Sequence, residues 1–270
     1  MQYDPVKRSL GKVFNKKPFL RKIFYKLLDL LLLRAWYIKR EIKRIYSGHR
    51  DLEVNILDAG SGYGQYDFFM SSYLKNARIL GVDLKEEQIE DCNSFFAQIK
   101  RSDRVKFAYA DLTEFSENEK FSLVLSVDVM EHILEDEKVF SNLCQSLKTG
   151  GVLLISTPSD LGGSDVHHEG EHSFIDEHVR DGYNKEDIER KLKNAGFSKV
   201  ETSYSYGTPG SLAWTLSMKW PIVAVNFSKL MFILLIPYYI ITFPFTFCLN
   251  WLDTVTKHEK GTGLIVKAVK

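Results

Sequence analysis

Between Asn55 and Gly64 the chain reads Asn-Ile-Leu-Asp-Ala-Gly-Ser-Gly-Tyr-Gly, an apolar strand running into three glycines at alternate positions. Tyr66-Asp-Phe-Phe-Met70 then opens a helix. Glycine lets the backbone turn tightly and approach a ligand where a Cβ would intrude. The helix start that follows presents unpaired N–H groups to a polar ligand. A second apolar run, Ile79-Leu-Gly-Val-Asp83, ends in an acid 19 residues past Gly64. A carboxylate at the tip of a second parallel strand is placed to accept from a ribose diol. The two segments predict a nucleoside site at the carboxyl edge of a parallel sheet.

The glycines read Gly-x-Gly-x-Gly, whereas the dinucleotide fingerprint is Gly-x-Gly-x-x-Gly, which argues against a pyrophosphate-bearing ligand. Leu57-Asp-Ala-Gly-Ser-Gly-Tyr-Gly64, Gly81-Val-Asp83, Ala110-Asp-Leu112 and Ser126-Val-Asp-Val-Met-Glu-His132 stand in order along the chain. They resemble the ordered motifs of class I S-adenosylmethionine-dependent methyltransferases, in particular the small-molecule branch that includes quinone-biosynthesis enzymes. The resemblance covers roughly residues 50–206 and the last ten.

It implies S-adenosyl-L-methionine as cofactor, with Asp58, Gly60, Ser61, Gly62 and Gly64 at its methionine end. Asp83 would take the ribose hydroxyls. Asp111 would accept from the adenine amino group, with Leu84 and Leu112 against the ring. Asp111 also suits a helix N-cap. Glu131 and His132 fall where the family places groups near the transferring methyl, and Asp128 is a weaker candidate on the same turn. Histidine is poised near neutral pH to take a proton from an oxygen nucleophile.

The segment Ser164–Tyr183 follows the fifth strand. Its tail is similar to a family segment on the substrate side, which makes His178, Arg180 and Tyr183 candidate substrate-binding residues. Ion pairs fastening the loop are the alternative role. His167, His168, Glu169, Glu171 and His172 crowd together without regular ligand spacing, so no metal is expected.

Apolar runs at Val54–Asp58, Arg78–Asp83, Val105–Tyr109, Phe121–Ser126 and Val152–Ser156 predict buried parallel strands. Helical patterns lie between them at Gln65–Tyr73, Glu86–Lys100, Asp136–Leu147 and Lys185–Ala195. Gly150-Gly151 reads as a helix end turning into a strand, and Gly196 as a helix cap. Right-handed crossovers then give an α/β, Rossmann-like, doubly wound and mostly parallel seven-stranded sheet. By resemblance its last strands, Lys199–Tyr206 and Leu264–Val269, form an antiparallel pair at one edge.

Two segments flank that domain (51–206 and 262–270). Residues 1–50 hold 14 of the 36 Lys/Arg and three of the 35 Asp/Glu, a local charge of +11 against −10 for the rest. Residues 19–46 lack Gly and Pro and repeat apolar positions at helical spacing. This basic arm either packs on the domain over the cofactor site or lies on a membrane surface, and the two are compatible. Leu27–Leu33 is too short and too interrupted for a secretory signal, whereas a mitochondrial transit peptide stays open. Cys92, Cys144 and Cys248 are far apart, which fits a reducing compartment.

The insertion 207–261 contains 23 uncharged positions, Leu230–Leu252, long enough to span a bilayer. A single crossing would strand the last β-strand on the wrong side. The insertion is therefore expected to lie in the interface, dip in and return, or cover a substrate tunnel. A helical pair buried in a dimer is the alternative, and oligomeric state stays open. The expected activity is methylation of a hydrophobic, membrane-resident small molecule, at oxygen first and carbon next. The enzyme would sit on the cytoplasmic side of a membrane that carries anionic lipid. A docked cofactor-binding module without turnover and a nucleic-acid methyltransferase are the alternatives. The second lacks the Asn/Asp-Pro-Pro-Tyr signature, and no nucleic-acid partner is expected.

Overall fold

The computed structural model describes residues 17–162, 179–228 and 231–270. Its centre is a seven-stranded sheet of order β3-β2-β1-β4-β5-β7-β6. The parallel strands are β1 (Asn55–Ala59), β2 (Arg78–Asp83), β3 (Val105–Tyr109), β4 (Phe121–Val127) and β5 (Leu147–Pro158). β7 (Gly263–Val269) runs antiparallel between β5 and the edge strand β6 (Lys199–Ser205). The doubly wound expectation therefore holds, including the antiparallel last strand.

Alternation along each strand sends successive side chains to opposite faces. Ile56, Leu123, Leu125 and Leu154 enter one apolar cluster, and Leu57, Val124, Leu153 and Ile155 enter the other. α3 (Gln65–Tyr73) and α4 (Glu86–Gln98) cover the first face; α5 (Asp136–Ser146) and α6 (Lys185–Asn194) cover the second. At the end of α6, Gly196 takes φ +105°, with Gly196 N–H on Lys193 O and Phe197 N–H on Leu192 O. That is the paired-bond helix stop only a left-handed residue allows. Gly150 plays a different part from the one expected. α5 already ends at Ser146, and Gly150, at φ +77°, lies within β5 where the register against β4 shifts between Phe121 and Leu123.

The basic arm forms two helices, α1 (Pro18–Leu31) and α2 (Leu33–Ile45), broken at the extended Leu32. Their apolar stripe is buried against the sheet: Tyr25, Leu33, Ala35, Ile38 and Ile42 belong to the first cluster. The same stripe is therefore not free to enter lipid, and among the described residues of the arm the exposed side chains are mostly charged, with Phe19, Leu27 and Leu30 the apolar exceptions.

The insertion is a helical hairpin. α7 (Thr208–Trp214), a π-turn (Thr215–Lys219) and α8 (Trp220–Phe227) run out, and α9 (Met231–Val255) runs back. The hydroxyls of Tyr238 and Tyr239 donate to Leu216 O and Ser217 O at 2.6 and 2.7 Å, which ties the two legs side by side. Ser205 pairs with Gly263, so both legs start at the same sheet edge, and a through-crossing is incompatible with β7 in the sheet. At the root, buried Asp253 accepts from Tyr37 Oη (2.7 Å) and Gly210 N–H (2.8 Å), and His258 Nε2 lies 3.2 Å away. α9 is the one described helix long and apolar enough to cross a membrane, and only 6% of its most apolar window is buried. A core helix of a water-soluble domain would be mostly buried.

Candidate active site

The carboxyl ends of β1, β2 and β4 converge on the glycine turn. Gly60, Gly62 and Gly64 all take positive φ (+87°, +50° and +71°). The turn is pinned to β2, because the N–H groups of Gly60 and Ser61 donate to Val82 O at 2.9 and 3.0 Å. A Cβ on Gly60 would collide with Val129, so the β4 loop can close on the turn only over glycine. At Gly62 a Cβ would meet only Gln88 Oε1, at 3.9 Å, so that side of the turn opens onto free space.

Asp83 is half-buried at the tip of β2. Its Oδ2 accepts from Gly62 N–H at 2.9 Å and its Oδ1 from Lys85 N–H at 3.0 Å. Two backbone donors thus orient the carboxylate beside the turn. Asp111 accepts from Thr113 N–H and Thr113 Oγ1, both at 2.8 Å through Oδ1, and this pair of bonds holds its pKa below the usual carboxylate value. These bonds close a turn at the end of β3, and no helix follows Asp111, so the helix N-cap given above as its alternative role is not formed. Leu84 is exposed, whereas Leu112 is packed in the second core cluster.

Beneath the turn lies a carboxyl pair only half visible in the sequence. Asp58 and Asp67 are both fully buried. Asp58 is held well above the carboxylate range by burial, with Asp67 and Asp83 adding to it, and burial pushes Asp67 up to about 7. Asp58 Oδ2, Ser61 Oγ and both Asp67 oxygens have no hydrogen-bond partner among the described residues. Asp67 sits on the first turn of α3, three residues past Gly64, and its position relative to the glycines was the one available signal.

The pair gives a pH prediction. A buried acid with a raised pKa contributes stability that is fully present below its unfolded value and lost as pH rises through the folded one. The ligand-free protein should therefore lose thermal stability as pH rises from about 4 to about 8, with Glu131 adding to the fall. In Asp67→Asn the melting temperature should decline less over that range and lie several degrees higher at the alkaline end, about 2–4 °C per kcal/mol recovered. Parallel curves for the two proteins would show that Asp67 is ionised in the fold.

The β4 tip carries the chemistry candidates. Asp128 is a non-glycine at φ +52°, a strained conformation of the kind that collects at functional turns. Arg34 of α2 meets it at 2.8 Å, and the Arg34 N–H donates to Tyr206 Oη at 3.1 Å. Neither Arg34 nor Tyr206 was legible as a site residue. Glu131 is buried and accepts from Thr157 Oγ1 at 3.2 Å; burial, reinforced by Asp128, pushes it up to about 8. His132 follows it in a short 3-10 turn, half-buried, with its N–H on Val129 O at 3.0 Å.

Arg180 and Tyr183 bond to the backbone on either side of Glu131 and His132, Tyr183 Oη lying 3.2 Å from Met130 O. Arg180 pairs with Asp136 and donates to Tyr183 Oη (2.9 Å) and Ile133 O (2.6 Å). Tyr183 Oη donates to Asp136 Oδ2 at 2.7 Å. Burial opposes the charge on Asp136, but Lys191, Tyr183 and Arg180 outweigh it and hold its pKa low. The arrangement is the loop fastening given above as the alternative to substrate binding. His178, His167, His168, Glu169, Glu171 and His172 lie outside the described residues. Among the described residues no cluster of His, Cys, Asp and Glu is arranged to hold a metal ion, and the three cysteines are free thiols.

At the N-terminal side α1 clamps the same turn. The Arg21 guanidinium donates to Tyr63 O (2.9 Å) and Asp91 O (3.0 Å), Tyr25 Oη donates to Tyr63 O, and Gln65 Nε2 donates to Asp29 Oδ1 (2.7 Å). A strand-tip carboxylate, a glycine turn and a strained β4 tip on one sheet edge form the arrangement expected of a nucleoside-binding site.

The methyltransferase-domain family matches residues 51–201, more than half of the chain. The chain belongs to that family and is a class I S-adenosylmethionine-dependent methyltransferase. It is 33% identical over 156 residues to phosphoethanolamine N-methyltransferase 1 of Triticum aestivum, covering 54% of this chain and 28% of that protein. It is 26% identical over 126 residues to the ubiquinone biosynthesis O-methyltransferase of Rickettsia prowazekii, covering 46% of this chain and 47% of that one. The matches thus span less than half the length of either relative. A structure of Haemonchus contortus phosphoethanolamine N-methyltransferase 2 with S-adenosyl-L-methionine superposes with TM-score 0.60 at 22% identity, over 87% of this chain and 53% of that one. That likeness is one of fold.

The family's cofactor is S-adenosylmethionine. The residues present fit it: buried oxygens of Asp58 and Ser61 lack partners beside a turn that is open at Gly62, and acceptors suit a cationic ligand rich in N–H and O–H donors.

Proposed function

We propose that the chain methylates a hydrophobic, membrane-resident small molecule, at an oxygen nucleophile first and at carbon next. The supporting observation is positional. The apolar hairpin rises from the ends of β6 and β7 at the carboxyl edge of the sheet, where the glycine turn, Asp83 and Glu131 also lie. Its exposed residues include Trp220, Phe232, Ile233, Ile236, Ile240 and Phe245. A contiguous apolar surface of this kind marks a membrane or partner contact. The enzyme would be monotopic on the cytoplasmic side, with the hairpin dipping in and returning.

S-adenosylmethionine supplies an activated methyl for in-line displacement, so the chain's own task is alignment and proton removal. Asp58, Ser61 and the glycine turn would hold the cofactor's methionine end, and Asp83 and Asp111 its nucleoside. Glu131 keeps its proton near neutral pH, which suits it to donate a hydrogen bond and orient the acceptor. The base is then assigned to His132. His132→Ala should lower kcat by about 100- to 10,000-fold, the usual contribution of a general base, while leaving cofactor affinity unchanged in calorimetry. Unchanged turnover would remove His132 from the mechanism.

An amine acceptor is the second reading, supported by the similarity to phosphoethanolamine N-methyltransferases. One experiment addresses both. Methyl-labelled S-adenosylmethionine is incubated with the protein and a membrane lipid extract, and the labelled product is identified. Label in an apolar O- or C-methyl product supports the first reading, and label in a phosphoamine supports the second. Absence of any labelled product would leave a cofactor-binding module.

A further inference from the structure

On the outer side of α2 an open groove of about 620 Å³ is lined by Lys39, Arg40, Lys43 and Arg44 and by the acid Asp29 of α1, with Trp36 and Thr254 of α9 also on its walls. We propose that this groove seats the phosphate of an anionic phospholipid headgroup and so sets how deep the hairpin sits in the membrane. The proposal rests on the membrane reading above.

The spacing explains why the charges meet. Residues 39, 40, 43 and 44 recur at helical period, so all four cations project from one face, with Trp36 one turn before them. Their own acids do not neutralise them. Lys39 pairs with Asp29, while Arg40 and Arg44 share a single oxygen, Glu41 Oε1, at 3.3 and 2.7 Å. Lys43 has no ion pair among the described residues and lies only against the Phe69 ring. Burial lowers the Lys39 pKa despite the Asp29 partner, so a further negative charge there would be favoured.

Four cations around a cleft match the oxygens of a phosphate, which arginine pairs bind bidentately.

The position selects lipid over a soluble anion. The Trp36 ring packs on Phe247 of α9 with centroids 4.9 Å apart, and the groove wall at Thr254 lies near the root of the apolar hairpin. Exposed Trp251, Leu252 and Val255 flank it. Beyond Phe247, where α9 leaves the domain, the helix runs about 24 Å further to Met231 at the tip. A headgroup held at this level leaves that apolar length on the hydrocarbon side. Basic residues beside an apolar helix are the arrangement that favours anionic lipid.

The test uses the full chain and its Lys43→Glu/Arg44→Glu variant, exchanged at exposed positions outside the cofactor site. Binding to phosphatidylcholine vesicles, and to the same vesicles doped with phosphatidylglycerol, is measured by co-sedimentation at physiological salt. The wild type should prefer the doped vesicles, and the variant should lose about tenfold or more of that preference while binding neutral vesicles and S-adenosylmethionine as before. Equal preference in the two proteins would overturn the groove and leave the membrane reading standing. Failure of the wild type to bind either vesicle would overturn both. Binding of inorganic phosphate alone at submillimolar concentration, lost in the variant and without vesicle preference in the wild type, would make this a soluble-anion site and overturn the lipid assignment.

Discussion

Asp83→Ala should weaken S-adenosylmethionine binding by about 10- to 1,000-fold, the loss expected for charge-assisted hydrogen bonds at one partly buried carboxylate. Asp83 acts at two levels. It offers acceptor oxygens at the tip of β2, and it also receives the N–H groups of Gly62 and Lys85, which hold the glycine turn against that tip. Alanine removes both, so the turn should loosen as well as lose its ligand contact. Asp83→Asn keeps one acceptor oxygen and should fall between alanine and wild type. Isothermal calorimetry on protein with an unchanged melting profile measures this directly. Undiminished affinity in Asp83→Ala, or tighter binding of NAD than of S-adenosylmethionine, would contradict the site assignment.

Shortening the hairpin should release the enzyme from membranes while sparing cofactor binding. Tyr238 Oη reaches Leu216 O, so a few glycines can join Ser217 to Tyr238 after removal of Met218–Pro237. The cut leaves the root intact: Asp253 keeps Tyr37 and Gly210, and Trp36 keeps Phe247. It removes exposed Trp220, Val223, Phe232, Ile233, Leu234 and Ile236. The truncated protein should be soluble without detergent and bind S-adenosylmethionine normally. Its activity on a lipophilic acceptor in vesicles should fall by about tenfold or more, because anchoring raises the effective concentration of enzyme at the acceptor. High salt should release little of the intact protein, since salt screens charge and not apolar burial. A wild type that washes off in salt, or a truncated form with full activity on vesicles, would place the hairpin elsewhere, for example in a dimer.

Much of the frame was legible because its determinants are local. Strands β2 and β3 begin and end where their apolar runs do, and α3 spans the residues its pattern predicted. The glycine turn and the acid at the end of β2 could be placed because a doubly wound sheet brings its strand tips to one edge. Asp111 was readable only as far as two roles, and its bonds to Thr113 close a turn with no helix after it, so the capping role is not formed.

What the sequence determined by itself was therefore the order of strands and helices, the cofactor turn and the presence of a long apolar insertion. Each follows from residue type and spacing within about ten to thirty positions, the range over which periodicity and turn chemistry act. The tertiary structure decided which side chains meet. Arg34 reaches Asp128 and, 172 positions on, Tyr206; Tyr37 reaches Asp253 across 216 positions; and the arm's apolar stripe is turned onto the sheet. No local pattern encodes such pairs, because their energy exists only after the sheet has brought distant segments together and water has left the space between them.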